Sequence, residues 1–255
     1  MLRHNLEVLV VCFVLLGAAC GAQTSGRIVE VAWQVDKAAH ATFETDSGYE
    51  LQLEEARLGI GAAYAYAPLE DKLKATAWRW LTGVSVAHAH GGLDAETGRR
   101  VRAELLESVV VDLLDPEPQA LPPIAAEAGA IDAVKLELAK SGAAAHESLH
   151  GGSAFLRGRA QRDGTTLRFQ AVVALDAALK ARSIDLTGLS GTLDEGAVLH
   201  VRVDPAVWLE HAAFDRLAPA DSEEVVEISA DSQIGRALAI GVRSPQAIEA
   251  HVKAD

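Results

Sequence analysis

Residues 27–37 read RIVEVAWQVDK, and this stretch decides the fold class of the chain. Four apolar residues alternate there with more polar ones: Val29, Val31, Trp33 and Val35. A period of two residues is typical of a β-strand that buries one face. The sequence therefore predicts that a sheet begins directly after the N-terminal segment.

Similar strand patterns recur downstream and are separated by turn sequences. Further strands are predicted at residues 49–53, 57–67, 108–114, 133–138, 154–161 and 165–175. The pair Asp163 and Gly164 is a strong hairpin signal, and a second hairpin is expected over residues 184–204. These features predict a mainly β fold, an antiparallel β-sandwich of the immunoglobulin-like or Greek-key type.

The C-terminal part of the chain has a helical period instead. Asp204, Ser232 and Ser244 each precede a stretch in which apolar residues recur at helical spacing. Ile248 and Val252, for example, are four residues apart. Because Asp and Ser side chains accept hydrogen bonds from the first turn of a helix, these positions are expected N-caps. The prediction is a sandwich with short C-terminal helices.

The N-terminal segment has the features of an export signal. Arg3 provides a positive charge, residues 8–19 form a twelve-residue apolar run, and small residues lead into Cys20. A membrane-spanning helix needs about 20 apolar residues, so this run is too short. We predict a signal peptide over residues 1–19, a tether over 20–26 and a single domain over 27–255. The alternative is an ordinary secretory signal in which the cysteine has no role.

The sequence LGAAC at residues 16–20 resembles the lipobox of bacterial lipoproteins. This resemblance implies cleavage before Cys20 and attachment of lipid, such as palmitate, to its sulfur. Gly21 resembles the outer-membrane sorting pattern of Gram-negative bacteria. The resemblance therefore implies a lipid-anchored protein of the cell envelope, at the outer membrane and facing the periplasm.

The composition limits the partners of the exported domain. The chain has 36 acidic and 23 basic residues, a formal net charge of −13. Such a charge disfavours nucleic acid and anionic lipid headgroups, so the N-terminal lipid is the expected membrane contact. Cys12 would leave with the signal and Cys20 would carry lipid. No thiol remains for a disulfide, so the core or a metal must hold the domain together.

One candidate site is the segment HESLH at residues 146–150, which matches the zinc motif H-E-x-x-H. On an α-helix His146 and His150 would lie one turn apart and bind zinc, while Glu147 acted as general base. This interpretation predicts an exported zinc-dependent hydrolase, a peptidase. The alternative is a polar loop, because strands are predicted on both sides of the segment.

A second candidate site is the segment AHAHG, in which His88 and His90 are two residues apart. If the segment is extended, both imidazoles point to one side and can chelate zinc or copper. A solvated pair of loop histidines is the alternative. The fold could also bring this pair and the HESLH histidines into one shared site.

The mature chain also resembles uncharacterised strand-rich envelope lipoproteins. The shared segments are Ala-His-x-His-Gly at residues 87–91, VDLL at 111–114 and VDPAVW at 203–208. That group implies no established activity. Our leading hypothesis is a non-enzymatic lipid-anchored protein with a binding or assembly role, binding a transition metal through His88 and His90. The zinc hydrolase is the alternative.

Overall fold

The computed structural model describes residues 26–36, 40–69, 94, 98–142, 146–175, 182–217 and 224–253. The predicted signal peptide, Cys20, and the pair His88 and His90 lie outside these residues. Within the described residues, no helix has the length and apolar character needed to cross a membrane.

The described chain is mainly β, as predicted from the alternating pattern. Its strands are β1 (Ile28–Asp36), β2 (Thr42–Glu44), β3 (Glu50–Tyr66), β4 (Val101–Leu105), β5 (Val109–Asp112), β6 (Gln119–Ala120), β7 (Ile124–Glu127), β8 (Gly129–Leu138), β9 (Ala154–Arg162), β10 (Thr165–Val173), β11 (Ser183–Leu193), β12 (Val198–Val203), β13 (Val225–Ile228) and β14 (Ile248–Lys253). Two short α-helices follow the main strands: α1 (Pro205–Leu209) and α2 (Gln233–Gly241).

The strands form one large mixed sheet. Its main path runs β13-β10-β9-β3-β4-β7-β1-β12-β14, while β11 joins through β8. Most neighbours are antiparallel, but β1 with β12 and β10 with β13 are parallel. Parallel neighbours need long connections, and a long stretch of chain separates the members of both pairs. The sheet is therefore mixed, but most of its pairs are antiparallel, as the sequence predicts.

Strand β3 organises the sheet. The two strands predicted at residues 49–53 and 57–67 are one continuous strand of 17 residues. Its first half pairs with β9 and its second half pairs with β8. A Cβ on Gly59 would lie 2.7 Å from Ala139 Cβ and 2.8 Å from Leu149 Cδ1. The absence of a side chain at this position lets the connection after β8 pack directly on β3.

The two predicted hairpins have different outcomes. Strands β9 and β10 form the expected hairpin, with Asp163 (φ 52°) and Gly164 (φ 77°) in its turn. The prediction of a hairpin over residues 184–204 is wrong, because its two strands exist but do not pair with each other. Strand β11 pairs with β8, and β12 lies between β1 and β14. A turn sequence reverses the chain locally, but it does not select the partner of each strand.

The helical predictions for the C-terminal part are confirmed for two segments and wrong for the third. The side chains of Asp204 and Ser232 cap α1 and α2. Ser244 caps a single 3-10 turn, Pro245–Ala247, and the next residues form strand β14. Every residue of β14 has a partner in β12, and this pairing overrides the four-residue spacing of Ile248 and Val252.

The core of the described chain is formed by apolar side chains from strands across the whole sheet and from α1 and α2. Its largest side chains, all nearly inaccessible to solvent, include Trp33, Trp208, Phe169 and Phe214. Strands β11 and β14 contact each other without pairing, so two parts of the sheet pack against each other there. One face of β1, β12 and β14 is buried by this packing. The opposite face of these three strands lies on the outside of the molecule.

Candidate metal centre

Three potential metal ligands lie on the outer face of β1, β12 and β14. Strand β12 buries alternate apolar residues, and His200 lies at the opposite phase. The antiparallel register places His251 of β14 directly opposite His200. In the parallel pair of β1 and β12, Gln34 is the partner of His200, so Asp36 lies one period further along the same face. We call Asp36, His200 and His251 the metal cluster.

The three side chains of the metal cluster are already in contact. His200 Nδ1 lies 3.0 Å from Asp36 Oδ1 and 3.3 Å from Oδ2. The imidazole rings of His200 and His251 stack with centroids 4.8 Å apart and an interplanar angle of 7°. Among the described residues, these three form the group whose ligand atoms all lie within 4.8 Å of one another. The sheet register thus assembles a two-histidine, one-carboxylate set.

The contact with Asp36 determines which ring nitrogen of His200 carries the proton. A carboxylate at Nδ1 favours the tautomer in which Nδ1–H donates and Nε2 keeps its lone pair. Both side chains are shielded, with 14% exposure for His200 and 16% for Asp36, while His251 is exposed. The partial burial weakens solvent screening of the pair. A metal that replaces the Nδ1 proton would therefore contact both His200 Nδ1 and Asp36 Oδ1, which already lie 3.0 Å apart.

The HESLH segment has a different geometry from the one the zinc motif requires. Glu147–Leu149 forms one 3-10 turn, with His146 extended before it and His150 left-handed (φ 50°) after it. His146 Nδ1 lies 2.7 Å from Ser148 Oγ, and the His150 ring packs 4.4 Å from the Phe155 ring. The imidazoles are not one α-helical turn apart, because the α-helix is not formed. Ligation by these two histidines, with Glu147 as base, stays a prediction.

The other histidines separate into two groups. His88 and His90 lie outside the described residues, so a site shared with the HESLH segment also stays a prediction. His211 is exposed, and its Nδ1 lies 2.6 Å from Oδ2 of Asp46, which is not a member of the metal cluster. The alternation of residues in the sequence puts His200 at a polar position of its strand. No residue near it in the sequence indicates that Asp36 and His251 are its neighbours. The strand pairing that joins them is long-range.

A second polar cluster surrounds Tyr66 near the end of β3. The Tyr66 hydroxyl donates a hydrogen bond of 2.8 Å to Asp94 Oδ2, and the Arg99 guanidinium lies 5.7 Å from the ring centroid. Burial, followed by the Asp94 interaction, raises the pKa of Tyr66 well above the ordinary tyrosine value. Arg99 also forms an ion pair with Asp132. The cluster keeps a neutral phenol and ties Asp94 to the sheet.

Fold and site together define a mainly β domain that carries a histidine–carboxylate cluster on an outer sheet face. No family model matches the sequence, and no curated protein matches it. Among solved structures, the chain is similar to MbnP from Methylosinus trichosporium, with a TM-score of 0.41 and 10% sequence identity. The alignment covers 89% of this chain and 99% of that chain.

Proposed function

We propose that this protein is a non-enzymatic, lipid-anchored protein of the cell envelope that binds a transition metal ion. The proposal places the metal at Asp36, His200 and His251. The observation that carries it is the convergence of three ligand atoms within 4.8 Å on one sheet face. This cluster replaces the loop histidines His88 and His90 as the centre best supported by geometry.

The backbone pre-organises the metal cluster, and side-chain rotation can complete it. Two nitrogens bound to one zinc ion lie about 3.3 Å apart, because each Zn–N bond is about 2.0–2.1 Å. The imidazoles of His200 and His251 sit on directly paired residues, so rotation about their side-chain bonds can bring the nitrogens that close. The chain itself need not move, which reduces the entropic cost of binding.

The donor chemistry and the net charge favour a borderline metal cation. Imidazole nitrogen suits zinc and copper, and a carboxylate is a common companion ligand. The net charge of −13 also raises the local concentration of cations near the surface. Zinc and copper are therefore the metals to test.

The envelope location is supported by the sequence of the first 26 residues. The apolar run, the LGAAC segment and the short polar tether fit an acylated N-terminus. The expected result is that [³H]palmitate labels the exported protein and that Cys20→Ser abolishes the label. Absence of label from the wild-type protein would contradict the anchor and leave metal binding unaffected.

Metal binding is tested by calorimetric titration of the untagged, metal-free protein with Zn²⁺ and Cu²⁺. We expect one equivalent per chain, and a loss of affinity of about 100-fold or more when His200→Ala and His251→Ala are combined. His211→Ala is the control, because its imidazole contacts a carboxylate, as that of His200 does, and is exposed, as that of His251 is. Loss of binding only in His146→Ala and His150→Ala would transfer the function to the HESLH segment.

A further inference from the structure

Two cations flank the histidines of the metal cluster on the same outer sheet face. Arg202 follows His200 by two residues on β12, and Lys253 follows His251 by two residues on β14. Residues two apart on a strand point to the same face, with Cα atoms about 6.8 Å apart. Because β12 and β14 are antiparallel, the two cations lie on opposite sides of the histidine pair. The site thus has a basic side chain on each side, although the net charge of the chain is −13.

Arg202 lies between two carboxylates. In the sheet register, its partner on β1 is Asp36 and its partner on β14 is Glu249. Arg202 Nη1 lies 3.6 Å from Glu249 Oε2, and the side chains are 44% and 74% exposed. An exposed ion pair of this length is weak, because water screens it. The guanidinium can therefore exchange Glu249 for another oxyanion beside Asp36.

The side chains around the metal cluster do not neutralise a bound dication. The carboxylates of Asp36 and Glu249 offset the positive charges of Arg202 and Lys253. The imidazoles bind metal in their neutral form. The charge of the ion itself is therefore left over, and a bound cation is often the largest local charge in a site. Salt screens exposed charges that are more than about 10 Å apart, so these nearest groups dominate and favour an anion at the metal.

The metal cluster also supplies fewer ligands than a closed structural site. Closed zinc sites have four protein ligands, whereas sites with three hold water or an exogenous molecule at the fourth position. The cluster has three members within the described chain, and His251 is exposed. The fourth position is therefore accessible from solvent, on the face that also carries Arg202.

We propose that the metal cluster and Arg202 together bind a small carboxylate. One carboxylate oxygen coordinates the metal, and the other accepts a hydrogen bond from the guanidinium of Arg202. Hydrogen bonds between arginine and carboxylate are charge-assisted, and the planar guanidinium matches the carboxylate geometry. The net charge of −13 favours a singly charged carboxylate over a more highly charged phosphate. This inference rests on the proposed metal binding, and it assigns the protein a complex of protein, metal and anion.

The test uses the untagged exported protein loaded with Co²⁺, whose visible absorption reports changes in coordination. Acetate, phosphate and chloride are titrated separately at constant ionic strength. We expect acetate to change the spectrum and to bind more tightly than chloride, because a single chloride atom cannot contact both the metal and Arg202. Arg202→Gln should weaken acetate binding about fivefold, the effect of one exposed charge pair, and should reduce the advantage of acetate over chloride.

Two matched variants make the result specific. Arg27→Gln removes one positive charge from an exposed ion pair with Asp194, outside the metal cluster and its flanking residues, and should leave acetate binding unchanged. Lys253→Gln removes the other flanking cation and should weaken acetate binding less than Arg202→Gln does, because Lys253 is further from Asp36 in the register. Equal losses in Arg202→Gln and Lys253→Gln would overturn the specific role of Arg202.

The remaining outcomes separate this inference from the proposed function. A cobalt spectrum that acetate does not change would overturn the carboxylate site alone. Phosphate binding more tightly than acetate would overturn the assignment of the ligand as a carboxylate. Failure of cobalt to bind would overturn the proposed function together with this inference.

Discussion

His200 and Asp36 meet at 3.0 Å, from Nδ1 to Oδ1, although they belong to strands near opposite ends of the chain. The parallel pairing of β1 with β12 creates this contact, and the antiparallel pairing of β12 with β14 adds His251. The metal cluster is thus a product of the sheet order. Its side chains project from the outer face, so substitutions there should change metal affinity with little effect on the core.

Asp36→Asn should weaken metal binding without preventing it. The amide can still accept a hydrogen bond from His200, but it lacks the charge that supports the imidazole and the metal. Loss of such a carboxylate typically lowers metal affinity about 10–100-fold. Competition with a chromophoric chelator measures the change. Asp46→Asn, which alters the carboxylate beside His211, is the control, and equal effects of the two variants would contradict a specific role for Asp36.

Gly158→Ala should destabilise the domain, because β9 and β3 approach closely at this residue. A Cβ there would lie 2.5 Å from the backbone oxygen of Gln52 and 3.2 Å from the Phe169 ring. Overpacking of this kind costs about 1–3 kcal/mol. Urea unfolding should show a lower midpoint for this variant. Gly26→Ala is the control, since its Cβ would meet nothing within 4 Å, and a similar loss in both variants would contradict the packing argument.

Phe214→Ala should be the more damaging of two matched aromatic truncations. The Phe214 ring is buried and packs on the rings of Phe169 and Tyr49, with centroids 5.1 and 5.7 Å away. Removal of a buried phenylalanine side chain costs about 3–5 kcal/mol. Phe43 is partly exposed on the short strand β2, so Phe43→Ala should cost less. Equal unfolding midpoints for the two variants would contradict the assigned core.

The Tyr66 cluster predicts a loss of stability at alkaline pH. Burial and the Asp94 interaction raise the pKa of Tyr66 in the folded state above the value of about 10 in the unfolded chain. Above that pH the unfolded chain releases the phenolic proton while the folded protein retains it. The free energy of unfolding therefore falls as the pH rises past about 10. Urea midpoints measured between about pH 8 and 11 should fall less in Tyr66→Phe than in the wild type, whereas parallel profiles would contradict this assignment.

Local structure could be predicted from the sequence, but the pairing of strands that are far apart in the chain could not. Alternation at Val29 and Val31 indicates β1, and the caps at Asp204 and Ser232 locate α1 and α2, because these signals depend on near neighbours. The pairing of β12 with β1 and β14 depends on the whole core. The motif HESLH is local and therefore indicated a zinc site, whereas the members of the metal cluster are far apart in the chain and were not predicted as a set.

The most direct test of the metal centre is a long-range ¹H–¹⁵N correlation spectrum of the histidine rings, recorded before and after addition of one equivalent of Zn²⁺. Assignment by single substitutions identifies each ring. We expect the ring nitrogens of His200 and His251 to shift, with His200 binding through Nδ1 beside Asp36, while those of His211 keep their positions. Unchanged signals for His200 and His251, with shifts at His146 and His150 or at His88 and His90, would contradict it.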